Sequence, residues 1–551
     1  MRLKVEKHGI TLQAIAGTYV VLLGWSMTKQ DSKNVLGFAV HRTDKTENEA
    51  YWLEGMKVFK ETDPGTQKAS LRQHPLQGFT WSDFTAKPGH DYTYRVVSLK
   101  GPPTDLQEDA DVSVEVTTEV EPNGTQAVWF NRGAAASQEY ARRFNNRRPD
   151  DVGSPAFTWL SRGLWEAMQA FIAQANGAMF GLRVAAYEFN YAPALEALKA
   201  ASETGADVQI IYDARKANPA EDNRAAVNAA GINNLCSERT SNPSAIAHNK
   251  FIVLLKNNQP ISVWTGSTNF SEGGIFGHSN VGHEVRNAKV AGDFLAYWEM
   301  LRGDPDSKAL RPKVAELTPT PPPDSAPILG TAELFSPRSG LQLMDWFVAQ
   351  ASSASTLMCA TFAFGINKAF VPMFQTPFAG LRYAMLDSAG TSDEAKQTIL
   401  ELRKRRDNRF AVGNYLTTNK FDKWIHERIS GLNQHARYIH TKYMLVDPFG
   451  EDPVIITGSA NFSDASTRDN DENMLVIRGE KAIADIYSTE FFRLWNHYAF
   501  REWAVTQNDT STARPQFLKT DDSWRNIYYE DTEQARQRLI MSGIGIEPNL
   551  G

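Results

Sequence analysis

The chain reads as an α/β protein made of two copies of one unit, preceded by a small all-β sandwich. Three observations predict this: short β-rich runs at turn-rich spacing fill the first 120 residues, one residue pattern recurs at a fixed offset further on, and strand-like and helix-like apolar segments alternate around each copy. The 551 residues, 42% hydrophobic and 22% charged, suffice for three or four domain-sized units and a sizeable core.

Within residues 1–120, the runs 19–25 (YVVLLGW), 36–42 (LGFAVHR), 92–99 (YTYRVVSL) and 112–118 (VSVEVTT) are separated by turn-formers such as Lys87-Pro88-Gly89 and Gly101-Pro102-Pro103. The stretch KPGHDYTYRVVSL, together with Trp25 on an early strand, resembles a fibronectin type III domain. That resemblance implies a corner hydrogen bond from Tyr92 to backbone, a core place for Trp25, and a positioning or interaction module able to engage a protein partner.

The repeat lies beyond this module. Residues 245–270 (AIAHNKFIVLLKNNQPISVWTGSTNF) and 437–462 (RYIHTKYMLVDPFGEDPVIITGSANF) align at an offset of 192 with no gap from His to Phe. In both, a histidine precedes a lysine by two residues, a Gly-Ser by 18 and 19, and an asparagine by 21. Upstream, 167–175 (AMQAFIAQA) parallels 343–351 (LMDWFVAQA), and downstream Phe294 to Trp298 parallels Phe491 to Trp495. The units therefore span about 125–302 and 330–500, with strands such as VQIIYDA (208–214) and LRYAMLD (381–387) between helices. A Pro-rich linker, 303–329, joins them, and 501–551 forms a C-terminal tail expected to pack across the catalytic unit.

The spacing carries chemistry. In a strand, residues i and i+2 share a face, so each His and its Lys project together. The Gly-Ser-x-Asn turn adds a hydroxyl, an amide and backbone N–H donors, a set suited to an anion such as phosphate. Two copies brought face to face would set two imidazoles across two lysines, able to hold a phosphodiester without a metal or other cofactor while one His attacks and the other protonates the leaving oxygen.

These residues resemble the phospholipase D superfamily, whose signature is a duplicated HxKxxxxD followed by GSxN, over about residues 125–500. The segment 130–144 (FNRGAAASQEYARRF) also looks like the stretch that opens the first half of bacterial relatives. The resemblance implies two halves packed about a pseudo-two-fold axis and a phosphohistidine intermediate. Carried over by position, His248 and His440 are nucleophile and general acid/base, with relatives favouring His248 as nucleophile. Lys250 and Lys442 bind phosphoryl oxygens, Asn269 and Asn461 assist, and Ser267 and Ser459 line the pocket floor as substrate contacts. Glu284 and Glu472, 36 and 32 residues after their histidines, fall where the family places a His-orienting carboxylate.

The second copy keeps the motif aspartate at Asp447, whereas the first has Leu255. Position His+7 has the opposite parity to the histidine in a strand, so this carboxylate is expected to brace structure rather than react. Phe189 and Phe364 are candidates for an apolar substrate lip. Asp213 and Asp387 end matching strands and suit either an active-site edge or a helix cap. His278 and His283 flank Glu284, but loop histidines beside a site more often touch substrate, so no metal site is expected. The basic runs 402–409 and 142–148 read as solvated helix faces.

A net charge of -6 argues against binding a polyanion through bulk charge. Two cysteines, Cys236 and Cys359, exclude a disulfide scaffold and fit a reducing compartment. No run of about 18 uncharged apolar residues occurs, and Ile10 to Trp25 reads as strands rather than a signal peptide. The expectation is a cytoplasmic, monomeric, metal-independent phosphodiesterase acting on phospholipid headgroups. A nuclease of the same motif class and a non-catalytic binding protein are the alternatives.

Overall fold

The computed structural model describes residues 1–66, 68–120, 124–133, 138–145, 147–390, 392–413, 439–506 and 517–546. The N-terminal strands are β1 (Arg2–Lys7), β2 (Ile10–Ala16), β3 (Val21–Ser26), β4 (Gly37–Asp44), β5 (Glu49–Trp52), the short pair β6 (Glu54–Gly55) and β7 (Ala69–Ser70), then β8 (Thr80–Asp83), β9 (Asp91–Lys100) and β10 (Gln107–Thr117). They form two antiparallel sheets, ordered β1-β2-β3-β8 and β10-β9-β4-β5. Alternate residues of facing strands close one core, with Leu23 and Trp25 packed together with Phe38, Val40, Tyr94 and Val114. Tyr92 Oη accepts the Lys87 N–H at 2.9 Å across the Pro88-Gly89 corner.

The first repeat unit contributes β11 (Gln126–Phe130), β12 (Phe180–Ala186), β13 (Asp207–Asp213), β14 (Cys236–Arg239), β15 (Lys250–Lys256), β16 (Gln259–Gly266) and β17 (Val281–Val285). The second contributes β18 (Gly330–Ser336), β19 (Leu357–Phe362), β20 (Leu381–Leu386), β21 (Asn408–Val412), β22 (Tyr443–Val446), β23 (Val454–Gly458) and β24 (Glu472–Arg478). The two seven-stranded sheets have the same order, β11-β17-β16-β15-β12-β13-β14 and β18-β24-β23-β22-β19-β20-β21. In each, the three strands at one side run parallel and the rest antiparallel.

Strand parity sorts the layers. Phe251, Val253 and Leu255 face a central core that also holds Leu357, Tyr443 and Leu445 of the second sheet, with the helices Ala288–Arg302 and Lys481–Thr506 packed between. Ile252 and Leu254 face outward onto a separate layer that includes Leu164, Phe171, Leu195 and Val227. Leu255 thus joins the central core on the face opposite Lys250, as its parity requires.

One expectation about the connections changes. The Pro-rich linker contains a helix, Ser307–Leu317, whose Leu310 and Val314 are fully buried in the central core. Its i, i+4 apolar pair wins over the nearby prolines. The C-terminal segment 517–546 packs on both the sandwich and the second half: Arg536 donates to Phe378 O at 2.8 Å, Arg409 pairs with Glu533 at 2.9 Å, and Ile540 and Met541 join the central core. Trp524 inserts beside Phe38 and donates its indole N–H to Val35 O at 2.9 Å, and a Cβ at Gly24 would meet the Met541 carbonyl at 2.3 Å. No helix among the described residues is long and apolar enough to cross a membrane.

Candidate functional site

The two histidine segments are extended and pair across the halves. Ala247 bridges Asp471 in parallel, and Ser279 bridges Ile439. The His248 N–H donates to Asp471 O at 3.0 Å and the His440 N–H to Ser279 O at 3.2 Å. Since Asp471 and Ser279 sit at the same repeat position, these reciprocal contacts express the pseudo-two-fold relation. Each segment is also anchored within its own half: Asp213 Oδ1 accepts the Ala247 N–H at 2.7 Å and Asp387 Oδ1 the Ile439 N–H at 2.9 Å. The strand-end aspartates therefore hold the residue before each histidine and are not helix caps.

The exchange brings the imidazoles of His248 and His440 to a ring-centroid distance of 6.5 Å at 73°. Both rings are buried. His248 Nδ1 lies 2.9 and 3.0 Å from the carboxylate oxygens of Glu472, which belongs to the other half. His440 Nδ1 lies 2.9 Å from Asn280 Oδ1, again across the interface. With Nδ1 engaged on both rings, Nε2 is the atom each has left for a substrate.

These contacts revise the reading of several residues. Glu472 orients the partner half's histidine rather than its own. Glu284 orients none: its carboxylate is clasped by Arg286 at 2.7 and 2.9 Å, and it lies in register with Ala127 and Trp264. Asn280 stands at the position of Glu472, 192 residues earlier, so the two copies differ in the charge of the orienting group. Ser267 and Ser459 are fully buried and serve that group, Ser267 donating to Asn280 Oδ1 at 2.7 Å and Ser459 to Glu472 Oε2 at 2.7 Å. They are props, not pocket floor. The preceding glycines allow this approach, because a Cβ at Gly266 would meet Val281 O and one at Gly458 would meet Asn473 O, each at 2.2 Å.

Lys250 and Lys442 are buried and each donates one ammonium hydrogen to the carbonyl of its own histidine, leaving two donors apiece. Burial pulls Lys250 down to about 8 and Lys442 further below the ordinary lysine range, with the neighbouring Lys250 adding to the second shift. Burial likewise lowers His248 to about 4 against the pull of Glu472, and lowers His440 strongly, aided by Lys442 and His278. The amide oxygens of Asn269 and Asn461 are both buried without a partner among the described residues.

Asp447 receives the N–H and hydroxyl of Ser355 and Thr356 and the N–H of Leu357, all at 2.7 to 3.0 Å, bracing the entry to β19. Phe189 is fully buried among the outer-layer residues of the first half, stacked on Tyr212, so it forms no lip. Phe364 is 60% exposed just past β19. His283 contacts Tyr487 and Gln126, while His278 packs edge-on to His440 at 4.6 Å, so the two do not converge on a metal. Among the described residues, Asp44, Glu47 and His90 of the sandwich have ligand-like spacing, but Lys87 already occupies Glu47 at 2.5 Å.

Sequence reasoning missed Tyr187, whose ring packs edge-on to His248 at 4.9 Å and lies under Lys250 Nζ at 5.1 Å. Its repeat counterpart is Ala363, so no shared motif flags it. Asn280 was legible by applying the 192-residue offset to Glu472.

A fold of two like α/β halves with paired His-x-Lys segments at one interface defines a phospholipase-D-like arrangement, and comparison with known proteins agrees. The family model described as cardiolipin synthase, PLD-like domain matches residues 171–302 and 393–495, which supports the phospholipase D superfamily. Mitochondrial cardiolipin hydrolase of Xenopus tropicalis is 38% identical over 66 residues, 12% of this chain and 29% of that protein, so the chain spans less than a third of that curated relative. Similar solved structures include phosphatidylserine synthase of Haemophilus influenzae Rd KW20 (11% identity, TM-score 0.42, 62% of this chain and 87% of that one). Another is the phospholipase D family member Nuc of Salmonella typhimurium (28% identity, TM-score 0.21, 24% of this chain and 85% of that one).

Proposed function

We propose that this protein is a metal-independent phosphodiesterase that cleaves the headgroup ester of a phospholipid through a phosphohistidine on His248. The observation that carries the reading is the pair of imidazoles 6.5 Å apart, each fixed through Nδ1 from the opposite half, above two buried lysines. In the first step His248 Nε2 attacks phosphorus, the bond from phosphorus to the leaving oxygen breaks, and that oxygen takes a proton from His440 Nε2. In the second, water attacks the phosphohistidine while His440 Nε2 takes its proton, and the phosphorus–nitrogen bond breaks to restore His248. An alcohol in place of water gives transphosphatidylation by the same path.

The asymmetry assigns the roles. Glu472 compensates the positive charge that His248 acquires when it bonds phosphorus, whereas neutral Asn280 holds the His440 ring without stabilising a retained proton, which suits a group that must give its proton away. Lys250 and Lys442 supply donors for the non-bridging oxygens as charge builds there. The carboxylates of Glu188, Asp213, Asp387 and Glu472 all act on these ammonium groups. Such acidic surroundings suit a singly charged diester and oppose a polyanionic strand. We further read the N-terminal sandwich as fibronectin type III-like, held in place by the C-terminal segment.

The test is incubation with phosphatidylcholine vesicles and with plasmid DNA, each at two salt concentrations and with chelator. Headgroup release that survives chelator and is lost in His248→Ala and His440→Ala supports the reading. Cleavage of DNA alone, falling steeply with salt, makes the protein a nuclease; turnover lost to chelator and restored by zinc removes the metal-free mechanism.

A further inference from the structure

Glu472, which reaches His248, follows a residue that is itself held by two arginines across the interface. Asp471 is fully buried at the interface between the halves, and its Oδ2 is gripped by Arg215 at 3.0 Å and by Arg239 at 2.8 and 3.3 Å. Both guanidinium groups come from the first half and are themselves buried, with side-chain exposures of 0% and 2%. Arg239 continues to Asp304 Oδ1 at 2.7 Å, and the Asp304 carboxylate also collects the N–H groups of Thr240 and Ser241. The clamp therefore ties the second half's Asp471 to the first half and to the start of the connecting segment.

Among the described residues the other half-site has no such clamp. Ser279 stands in the place of Asp471 and needs no counter-ion, and the strand ends corresponding to Arg215 and Arg239 carry Ala389 and Gly413. In extended chain, successive side chains point to opposite faces, so fixing Asp471 toward the arginines turns Glu472 toward His248. Two adjacent buried carboxylates would otherwise repel each other and compete for the same imidazole.

We propose that Arg215 and Arg239, acting through Asp471, are positioning residues that present Glu472 to His248 and so make the two chemically similar half-sites unequal. The inference rests on the proposed reaction for its kinetic readout, but its structural readout stands apart from it. Charge alone near the site would be felt by both histidines; the clamp acts on one.

Arg239→Gln should lower kcat by about 10- to 100-fold with KM changed less than about 3-fold, as loss of a ligand-orienting contact does elsewhere. In a Glu472→Gln background the same change should cost under about 3-fold, because the residue it acts through is gone. Selective 15N-histidine NMR should show neutral His248 shifting from the Nδ1–H toward the Nε2–H tautomer in Arg239→Gln, and not in Arg183→Gln, which breaks an ion pair with the half-exposed Asp207 at the start of β13. Asp304→Asn, at a partly exposed position, loosens Arg239 more gently and should give the same tautomer shift to a smaller degree if Arg239→Gln folds poorly. Equal losses in both backgrounds, or an unmoved His248 tautomer in both clamp variants, overturn the proposal. A wild-type protein that cleaves no diester instead overturns the proposed function, and the tautomer measurement still decides the clamp.

Discussion

Asn280 and Glu472 occupy the same position of the repeat, 192 residues apart, and each crosses the interface to hold Nδ1 of the other half's histidine. One is neutral and one is charged. The difference divides the chemistry between two rings that their own motifs leave alike.

It follows that the two histidines should fail differently. His440→Asn should lower headgroup release by about 10²- to 10⁴-fold, the range of a lost general acid, and a p-nitrophenyl phosphodiester, whose leaving group needs no proton, should recover most of the first step. His248→Asn should not be rescued by that substrate. Acid-quenched gels with labelled diester should show protein-bound phosphorus in His440→Asn and none in His248→Asn.

Glu472→Gln should reduce kcat by about 10²- to 10⁴-fold, since an amide can fix the ring but cannot balance its charge. Asn280→Asp should raise the pKa of His440, measurable by NMR titration, because it places a carboxylate on a ring that now has none.

Lysine burial predicts proton uptake on anion binding. At pH 9 Lys250, lowered to about 8, is largely neutral in the free protein, and inorganic phosphate between the lysines restores its charge. Calorimetry in buffers of different ionisation enthalpy should register net proton uptake at pH 9 and less at pH 7. The neutral His248 needed for attack gives kcat/KM an acid limb near pH 4, and loss of the His440 proton needed by the leaving group sets its alkaline limb.

Stability should respond to those groups with a definite sign. His248 is depressed to about 4 in the folded state, so the unfolded chain binds the extra proton between about pH 6.5 and 4, and its contribution to stability is lost as pH falls through that window. Lys442→Met removes a buried amine next to another and should raise Tm by about 1 °C, roughly 1 kcal/mol, while abolishing turnover. Differential scanning calorimetry with a parallel activity assay checks both halves of that statement.

Asp447→Asn should destabilise the protein by about 1–3 kcal/mol through the carboxylate bonds it weakens at the start of β19. Its kcat at a temperature where it remains folded should stay within about 3-fold of wild type, because the carboxylate faces away from the histidines. Chemical denaturation and initial-rate kinetics separate the two effects.

Local pattern was enough to pair His248 and Lys250 with His440 and Lys442, because period-two strands and an ungapped repeat decide which side chains share a face and which positions correspond. Parity also put Leu255 in the core. Burial was not legible at Phe189 and Phe364, which look equivalent as residues ending a strand yet lie in a closed layer and at an exposed end. Nor was the helix at Ser307–Leu317, where nearby prolines masked an apolar pair whose partners lie in other elements.

What only the tertiary structure decided is the exchange of partners. His248 and Glu472 are 224 residues apart, and nothing local to either distinguishes a carboxylate that serves its own half from one that crosses over. The sequence determined the duplicated chemistry, since strand period and repeat register are properties of neighbours along the chain. The pairing of extended segments between halves then chose which duplicate meets which, because a hydrogen bond and a buried charge answer to neighbours in space.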